Sequence, residues 1–320
     1  MAMLASRTFS YQTMFPLPKK GFATRKHPMN SENTELAQKL ILAVESMPAF
    51  PKSVQKILEL SRDVNCTPKD LIQIIEKDPV ITVKILKVVN SAYYSMPKQV
   101  TSVSHAVVYL GFNTVKNLAL SIAAIGMLPK NNAAGFDVQQ YLLHSLATAG
   151  IAKLLASRHG GADPMDCYIA GLLHDFGKVV FAQFMPEGFK TALALSARDG
   201  LSLHLCLRQT IGVDHALAGA MLVDKWRFPA HLIETIRYQY AADAEKEGRD
   251  SAVAACVSFV FAANQISKKL EFGFAGNACV EALPRSLAAF LGGTLDEVIA
   301  SLGDLQPVFE QAKTFSKLGE

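Results

Sequence analysis

The chain has 320 residues, of which half are apolar and 19% are charged, the balance of an ordinary globular protein with room for one large domain or two modest ones. Its net charge of +4 is small and comes largely from the first thirty residues, so composition gives no support for a nucleic-acid-binding or membrane-surface protein. The five cysteines are scattered and contain no Cys-x-x-Cys pair, which argues against a disulfide framework or a thiolate zinc site and predicts reduced thiols in a cytoplasmic protein.

The chain begins with a basic segment. Residues 1–31 carry five lysines and arginines, no acid, three prolines and one glycine. We expect a disordered arm here; an organelle-targeting leader is the alternative, although no clear cleavage site is present. No membrane span is predicted, because the longest apolar run, Leu118–Leu128, is well short of the ~20 residues that a spanning helix needs.

From residue 32 onward, apolar residues recur at the spacing of amphipathic helices. Thr67-Pro68 and Asp78-Pro79 are helix starts, because Thr and Asp cap the first turn and Pro fits its first position. No run alternates for long enough to form a regular strand, so the sequence predicts an all-α fold. The predicted helices include Thr34–Ser46, Pro51–Leu60, Val80–Val89, Val103–Leu110, Asn113–Leu128, Asp137–Arg158, Glu187–Arg198, Leu201–Thr210, Asp214–Trp226, Ala230–Tyr240, Ala252–Lys269, Pro284–Leu291, Thr294–Leu302 and Val308–Phe315.

The best linker in the chain is Lys130–Gly135, which contains two asparagines and a glycine. A boundary placed there predicts an N-terminal helical subdomain over residues 32–130 and a second over residues 131–270. Residues 271–320 are expected to form C-terminal helices that pack on the second subdomain. The predicted architecture is a multi-helix bundle of two packed subdomains.

The segment Gly171–Lys178 reads Gly-Leu-Leu-His-Asp-Phe-Gly-Lys and places His174 and Asp175 inside a stretch that predicts a buried helix. Burying an imidazole and a carboxylate without partners costs several kcal/mol. A divalent metal would supply a partner for both, since neutral His and ionised Asp are ligands for Zn²⁺, Mn²⁺ or Fe²⁺. The alternative is a hydrogen-bonded core pair.

Three further polar residues lie on helix faces that the pattern predicts to be buried. They are His144, Asn264 and His215, the last of which shares its face with small residues that allow close helix packing. Any one of them is more often a satisfied core residue than a ligand. Together with His174 and Asp175 they indicate a common polar site.

These motifs resemble the HD-domain metal-dependent phosphohydrolases. His144 in His-Ser-Leu-Ala-Thr-Ala and the His174-Asp175 pair match the first three metal ligands of that superfamily, whose fourth ligand is an Asp on a later helix; Asn264 stands at the matching position. The resemblance implies that these four residues, with His215 nearby, hold one divalent transition metal (Fe, Mn, Zn or Ni) or, in a degenerate site, no cofactor.

The upstream motifs resemble those of the HDOD family (HD-related output domain), a divergent branch of the same superfamily. The similarity runs from about residue 44 to residue 240 and more weakly to Asn264, and it implies one HDOD module whose second subdomain, 131–270, is HD-like. The matching motifs are Met47–Pro51, Asp78–Tyr94, Ser104–Gly111, His215–Leu222 and Trp226–Pro229.

Two departures from related HD-GYP phosphodiesterases bear on activity. Those enzymes carry a His pair followed by Gly-Tyr-Pro, whereas this chain has Gln239-Tyr240 there and no later Gly-Tyr-Pro. The loss of two imidazoles argues against a two-metal phosphodiesterase. Asn264 offers a carbonyl oxygen but no charge, so a remaining mononuclear site should bind its metal more weakly.

We therefore expect a bacterial-type cytoplasmic signalling module that acts mainly through contacts with signalling proteins, with homodimerisation as a further option. The alternative is a mononuclear metal-dependent phosphohydrolase of a nucleotide or other phosphoester. In that enzyme Asp175 and the metal would activate water, and Lys178 would bind phosphate; otherwise Lys178 is a helix-end cation or a partner of Asp175. A nucleic-acid-binding regulator that uses the basic arm ranks third. His204 and His231, on exposed or mixed faces, receive no role.

Overall fold

The computed structural model describes residues 31–60, 65–241 and 250–317. Every regular element within these ranges is a helix and none is a strand, so the predicted all-α fold is confirmed. The basic arm predicted for residues 1–31 lies outside the described residues, apart from Ser31, which begins the first helix.

The helices are named α1 to α17 in chain order. The first six are α1 Ser31–Ser46, α2 Lys52–Leu60, α3 Pro68–Glu76, α4 Pro79–Val89, α5 Val103–Leu110 and α6 Phe112–Gly126. The next seven are α7 Val138–His159, α8 Pro164–Leu173, α9 Phe176–Phe184, α10 Pro186–Asp199, α11 Leu203–Thr210, α12 His215–Lys225 and α13 Ala230–Arg237. The last four are α14 Ser251–Lys269, α15 Arg285–Leu291, α16 Leu295–Leu302 and α17 Gln306–Ser316.

Both predicted helix starts are present. The Asp70 carboxylate accepts the backbone N–H of Thr67 at 2.8 Å at the start of α3. The Asp78 carboxylate accepts the backbone N–H groups of Val80 and Ile81, each at 3.1 Å, at the start of α4. These bonds satisfy donors that have no acceptor within their own helix.

Helix α7 is the central helix of the second half of the chain. It has 22 residues and contacts α8, α14 and α17. Because its apolar residues are buried on most of its circumference, its polar residues His144, Ser145 and Thr148 are carried into the core. The hydroxyl of Thr148 donates to that of Ser267 on α14 at 3.1 Å, which joins the two helices.

The N-terminal helices are attached to the rest of the molecule through α12. The Lys225 ammonium donates to the carbonyl oxygens of Val44, Glu45 and Met47 at 2.6 to 3.1 Å. The Trp226 indole N–H donates to the carbonyl of Pro48 at 3.0 Å. The stretch between α6 and α7, which contains the predicted linker, is irregular, and the division of the chain into two subdomains stays a prediction.

Two glycines allow helices to approach closely beside the His174-Asp175 segment. A Cβ atom at Gly171 would lie 2.8 Å from the Cα of Ala149 on α7, and one at Gly177 would lie 2.0 Å from the carbonyl oxygen of His215 on α12. Neither position therefore has room for a side chain. These contacts press α8 against α7 and α9 against α12, on either side of His174 and Asp175.

The segment 271–284 connects α14 to α15 without regular structure and crosses the N-terminal turns of α7. The N–H of Phe274 donates to the carbonyl oxygen of Gln140 at 2.9 Å. Gly273 adopts φ +71°, and a Cβ there would lie 2.3 Å from the backbone nitrogen of His144. The segment is thus pressed against the turn of α7 that carries His144.

No single helix of the described residues is both long enough and apolar enough to cross a membrane. The segments Arg285–Leu302 and Gln306–Ser316, which are bent by 76° relative to each other, meet the length and composition criteria for a membrane span only when they are taken together.

We predict that Gly177→Ala destabilises the protein strongly. The added methyl group would overlap the His215 carbonyl, and relief requires α9 and α12 to separate, so the unfolding free energy should fall by about 1–3 kcal/mol or more. Chemical denaturation measures this loss. Gly126→Ala is the matched control, because nothing lies within 4 Å of a Cβ in this helical glycine, and its stability should stay within about 1 kcal/mol of wild type.

Candidate metal centre

The candidate centre lies where α8 ends and α9 begins. Helix α8 ends at Leu173 and α9 starts at Phe176, so His174 and Asp175 occupy the break between them, and both are fully buried. His144 enters from α7 and His215 from the first residue of α12. The structure therefore brings together, from three separate parts of the chain, four of the residues that the sequence singled out.

The tautomer of His174 is set by its own helix. Its Nδ1 lies 2.7 Å from the carbonyl oxygen of Gly171, and because a carbonyl can only accept, Nδ1 carries the proton. Nε2 then presents a lone pair and has no hydrogen-bond partner. This is the arrangement by which proteins prepare a histidine for a metal.

The Asp175 carboxylate is the common neighbour of the cluster. Its Oδ2 lies 2.5 Å from Lys178 Nζ, 3.3 Å from His174 Nε2 and 3.9 Å from His144 Nε2. Its Oδ1 lies 2.9 Å from His215 Nε2. Both oxygens therefore face nitrogen atoms, and Lys178 provides a full positive charge.

The charges of the cluster determine its protonation. Burial alone would raise the pKa of Asp175, but His174, Lys178 and His215 hold it well below its usual value, so the carboxylate is ionised. Burial lowers the pKa of His144 well below the ordinary histidine value and also lowers that of His215. Burial likewise lowers the pKa of Lys178, which Asp175 opposes.

His144, His174 and Asp175 fit a single divalent metal. Their ligand atoms lie within 4.8 Å of one another, and Nε2 of each histidine is buried without a hydrogen-bond partner. Two imidazole lone pairs and one carboxylate facing a common point form a donor set suited to a transition metal. When bound, such an ion could act as a Lewis acid. Lys178 competes with it, because its ammonium already occupies Asp175 Oδ2.

Gln239 and Tyr240 are used as structural links at this centre. Gln239 Nε2 donates to the carbonyl of His174 at 2.6 Å, and the Tyr240 hydroxyl lies 2.9 Å from His215 Nε2. The Asn264 side chain is a neighbour of the Tyr240 hydroxyl, and its buried Oδ1 has no hydrogen-bond partner. In the sequence these positions stood out only because they lack the His pair and the Asp that the related enzymes carry.

His204 belongs to the same neighbourhood, which the sequence interpretation missed. It was placed on an exposed or mixed face, but it is only 8% exposed and stacks on Tyr240 with ring centroids 4.0 Å apart. His231 does lie on the surface, 2.9 Å from an oxygen of Asp166. In the structure His204 shares α11 with the buried residues Leu203, Cys206 and Leu207.

Beside the centre is a cavity of about 860 Å³, which reaches His144 and is bounded by the end of α14, by segment 271–284 and by the starts of α15 and α16. One wall is linked to the centre, since the Lys178 ammonium that contacts Asp175 also donates to the carbonyl oxygen of Ala275 at 2.7 Å. The candidate metal residues thus have an adjoining space for a small molecule.

We predict that Lys178→Met increases the response of the protein to metal. Without metal the variant should lose about 3–5 kcal/mol of unfolding free energy, because Asp175 remains buried with less compensating charge. Excess Mn²⁺ or Zn²⁺ should restore more stability in the variant than it adds to wild type, as followed by thermal denaturation after chelator treatment. Lys225→Met is the control, since that lysine also donates to backbone carbonyls but lies apart from Asp175. Equal metal responses in the two variants would refute the competition.

We also predict that stability falls as the pH is lowered from about 7 to 5. Burial, with a further contribution from His215, lowers the pKa of His204 to about 3, and burial lowers those of His144 and His215. Below the unfolded-state value of ~6.5, the unfolded chain takes up protons that the folded chain does not, so each such histidine costs up to about 1.4 kcal/mol per pH unit.

The test is denaturant unfolding across this pH range. His204→Phe keeps a ring against Tyr240 and should reduce the pH slope by up to one proton; His105→Phe, the same change at an exposed position, is the control for the substitution itself. Identical slopes for His204→Phe and wild type would show that His204 titrates normally in the folded protein.

Comparisons with known proteins identify the family and the fold of this chain. The protein-family model described as the HDOD domain matches residues 47–242. An uncharacterised protein of Treponema pallidum is 26% identical over 293 residues, which are 91% of this chain and 55% of that protein, so the chain spans about half the length of this relative.

Two crystal structures share the fold. An HDOD domain protein of unknown function from Geobacter sulfurreducens is 25% identical, with a TM-score of 0.73 over 89% of this chain and 97% of that one. A candidate signal transduction protein from Marinobacter aquaeolei is 23% identical, with a TM-score of 0.70 over 89% of this chain and 66% of that one. Because the family match covers more than half of its residues, the chain belongs to the HDOD family.

Proposed function

We propose that this chain is a regulatory module that acts mainly through contacts with signalling proteins, and that its HD-type site is a structural hub. The charge balance at Asp175 carries the proposal. Lys178 Nζ lies 2.5 Å from Asp175 Oδ2, so the chain itself supplies a positive charge to the carboxylate without a metal, and the neutral ring of His215 lies 2.9 Å from Oδ1. The resemblance of the fold to a candidate signal transduction protein supports the same view.

The surroundings of the site support the loss of two-metal chemistry. Gln239 is bonded to the His174 carbonyl and Tyr240 contacts both His215 and His204. By the resemblance to HD-GYP enzymes, these two residues stand at the sequence positions of the missing His pair. A second metal would therefore have to be held without a histidine pair from this part of the chain.

An exposed apolar surface on α4 and α5 is suited to a protein partner. These two helices contact each other and expose Val80 and Val83 (64% each), Val108 (80%) and Tyr109 (57%). Neither helix contains an acidic residue, and α4 adds the exposed Lys87. We infer that a partner binds here with an apolar surface bordered by carboxylates.

One observation favours the second candidate function, a mononuclear metal-dependent phosphohydrolase of a nucleotide or other phosphoester. Nε2 of His144 and Nε2 of His174 are buried without hydrogen-bond partners, which a metal would correct. Asp175 would then complete the ligand set beside a cavity large enough for a phosphoester. In this function Lys178 would have to leave Asp175 before it could contact a phosphate.

We predict that the purified protein does not hydrolyse phosphoesters. The measurement is turnover of a panel of nucleotides and aryl phosphates with added Mn²⁺, Fe²⁺, Zn²⁺ or Ni²⁺, together with metal analysis of protein prepared without chelator or His-tag. His144→Gln is the matched variant, because His144 Nε2 makes no hydrogen bond that the change would break. Turnover with stoichiometric metal in wild type, and its loss in His144→Gln, would establish the hydrolase instead.

The protein-contact function is tested in the native cell by complementing a deletion strain and recording its transcript profile. His144→Gln should restore the wild-type profile, whereas Val83→Asp combined with Val108→Asp should not, because two charges are placed on the apolar surface of α4 and α5. Leu205→Asp, at another exposed apolar position (48%), serves as the surface control and should complement. Complementation by the double variant, with failure of His144→Gln, would contradict the proposal.

A further inference from the structure

The cavity next to His144 has the features of a preformed binding site. Its volume of about 860 Å³ lies within the range of small-molecule sites in proteins, ~300–1,000 Å³. Its inner end is lined by His144, Ala275 and Asn277, which are buried, and by the half-buried Lys268. Lys269 and Asp296 lie towards the exposed side.

The wall formed by segment 271–284 is held at several points. Its Phe274 N–H is bonded to α7, its Ala275 carbonyl accepts from Lys178, and the N–H of Glu281 donates to Gln265 Oε1 on α14 at 2.9 Å. A cavity with a fixed wall loses little conformational entropy when a ligand enters. The space is therefore organised before any ligand is present.

The Lys268 ammonium, at the inner end of the cavity, makes no hydrogen bond or ion pair with any of the described residues. The other lysine of the cavity, Lys269, lies 2.6 Å from Asp296. Of the remaining carboxylates, Glu281 accepts a hydrogen bond from the Ser202 hydroxyl and Glu271 is exposed. Burial and the nearby Lys178 lower the pKa of Lys268 to about 8, with Asp175 and Glu281 opposing them, so its ammonium is mostly charged at neutral pH without a counter-ion in contact.

We propose that this cavity binds a small organic anion whose phosphate or carboxylate pairs with Lys268 and whose apolar body lies against Phe274, Val280, Leu283 and Leu295. The anionic group supplies the counter-ion that Lys268 lacks, and the Asn277 amide lies at the same inner end to donate a hydrogen bond. The site goes beyond the regulatory function proposed above, because it gives the module a chemical input that needs neither metal nor turnover.

The test uses full-length, chelator-treated protein and isothermal titration calorimetry with phenyl phosphate, benzoate and the neutral benzyl alcohol. At least one of the two anions should bind with 1:1 stoichiometry, and benzyl alcohol should bind at least tenfold more weakly, since the charge-assisted contact is lost. Binding by phenyl phosphate alone identifies a phosphate ligand, and binding by benzoate alone identifies a carboxylate. Inorganic phosphate and acetate measure the contribution of the anionic group without the apolar body.

Variants locate the site. Lys268→Met should weaken anion binding at least tenfold, Lys268→Arg should retain it within a few-fold, and Lys313→Met, which removes an exposed lysine outside the cavity that is paired with Glu310, should bind as wild type. Circular dichroism confirms that each variant is folded. The proposal is overturned if neither anion binds wild type, or if Lys268→Met and Lys313→Met bind alike. Binding that appears only when metal is restored would also overturn it and would favour the hydrolase.

Discussion

A buried carboxylate, Asp175, sets the requirements that this part of the molecule meets. An ionised carboxylate without partners is too costly to keep in a protein core, so the surrounding helices must bring compensating groups to it. Lys178, from its own helix, supplies the positive charge, and the uncharged imidazoles of His215 from α12 and His144 from α7 surround the carboxylate. These side chains reach Asp175 because Gly171 and Gly177 let the backbones of neighbouring helices come into contact. The compensation of the buried charge therefore depends on the close packing of these helices, and the two act as one structural device.

Under the proposed function, this device explains how an HD-type site is retained without catalysis. In a metal enzyme the ion would carry the positive charge that the carboxylate needs. Here the Lys178 ammonium lies 2.5 Å from Asp175 Oδ2, so a side chain of the protein supplies that positive charge in place of an ion. The histidine Nε2 atoms remain oriented as they would be for a metal, with Gly171 fixing the tautomer of His174. In this chain the histidines therefore keep the orientation of metal ligands, while Lys178 supplies the charge that balances the carboxylate.

The sequence was sufficient for the fold class and for the burial of the candidate site residues, and the reasons are physical. Helical spacing recurs along almost the whole chain, and inward faces placed His144 and Asn264 correctly in the core because burial of a helix face is a local property. The new roles of Gln239 and Tyr240 could not be predicted, since they depend on contacts with residues 65 and 25 positions earlier in the chain. His204 was missed because α11 has only eight residues, too few for its pattern to separate a buried face from a mixed one. Segment 271–284 has no periodicity, so nothing local reveals that it covers α7.

Segment 271–284 connects the hub to the rest of the surface. The Lys178 ammonium donates both to Asp175 and to the carbonyl of Ala275, so one cation joins the compensated carboxylate to the cavity wall. A displacement of that wall changes the position of the group that neutralises Asp175, and a displacement of Lys178 from Asp175 changes the anchoring of the wall. By linkage, a ligand that favours one position of Lys178 must alter the affinity of the centre for a cation, and a cation must alter the affinity for that ligand by the same factor. In this fold the candidate metal centre is therefore placed to report on what occupies the cavity beside it.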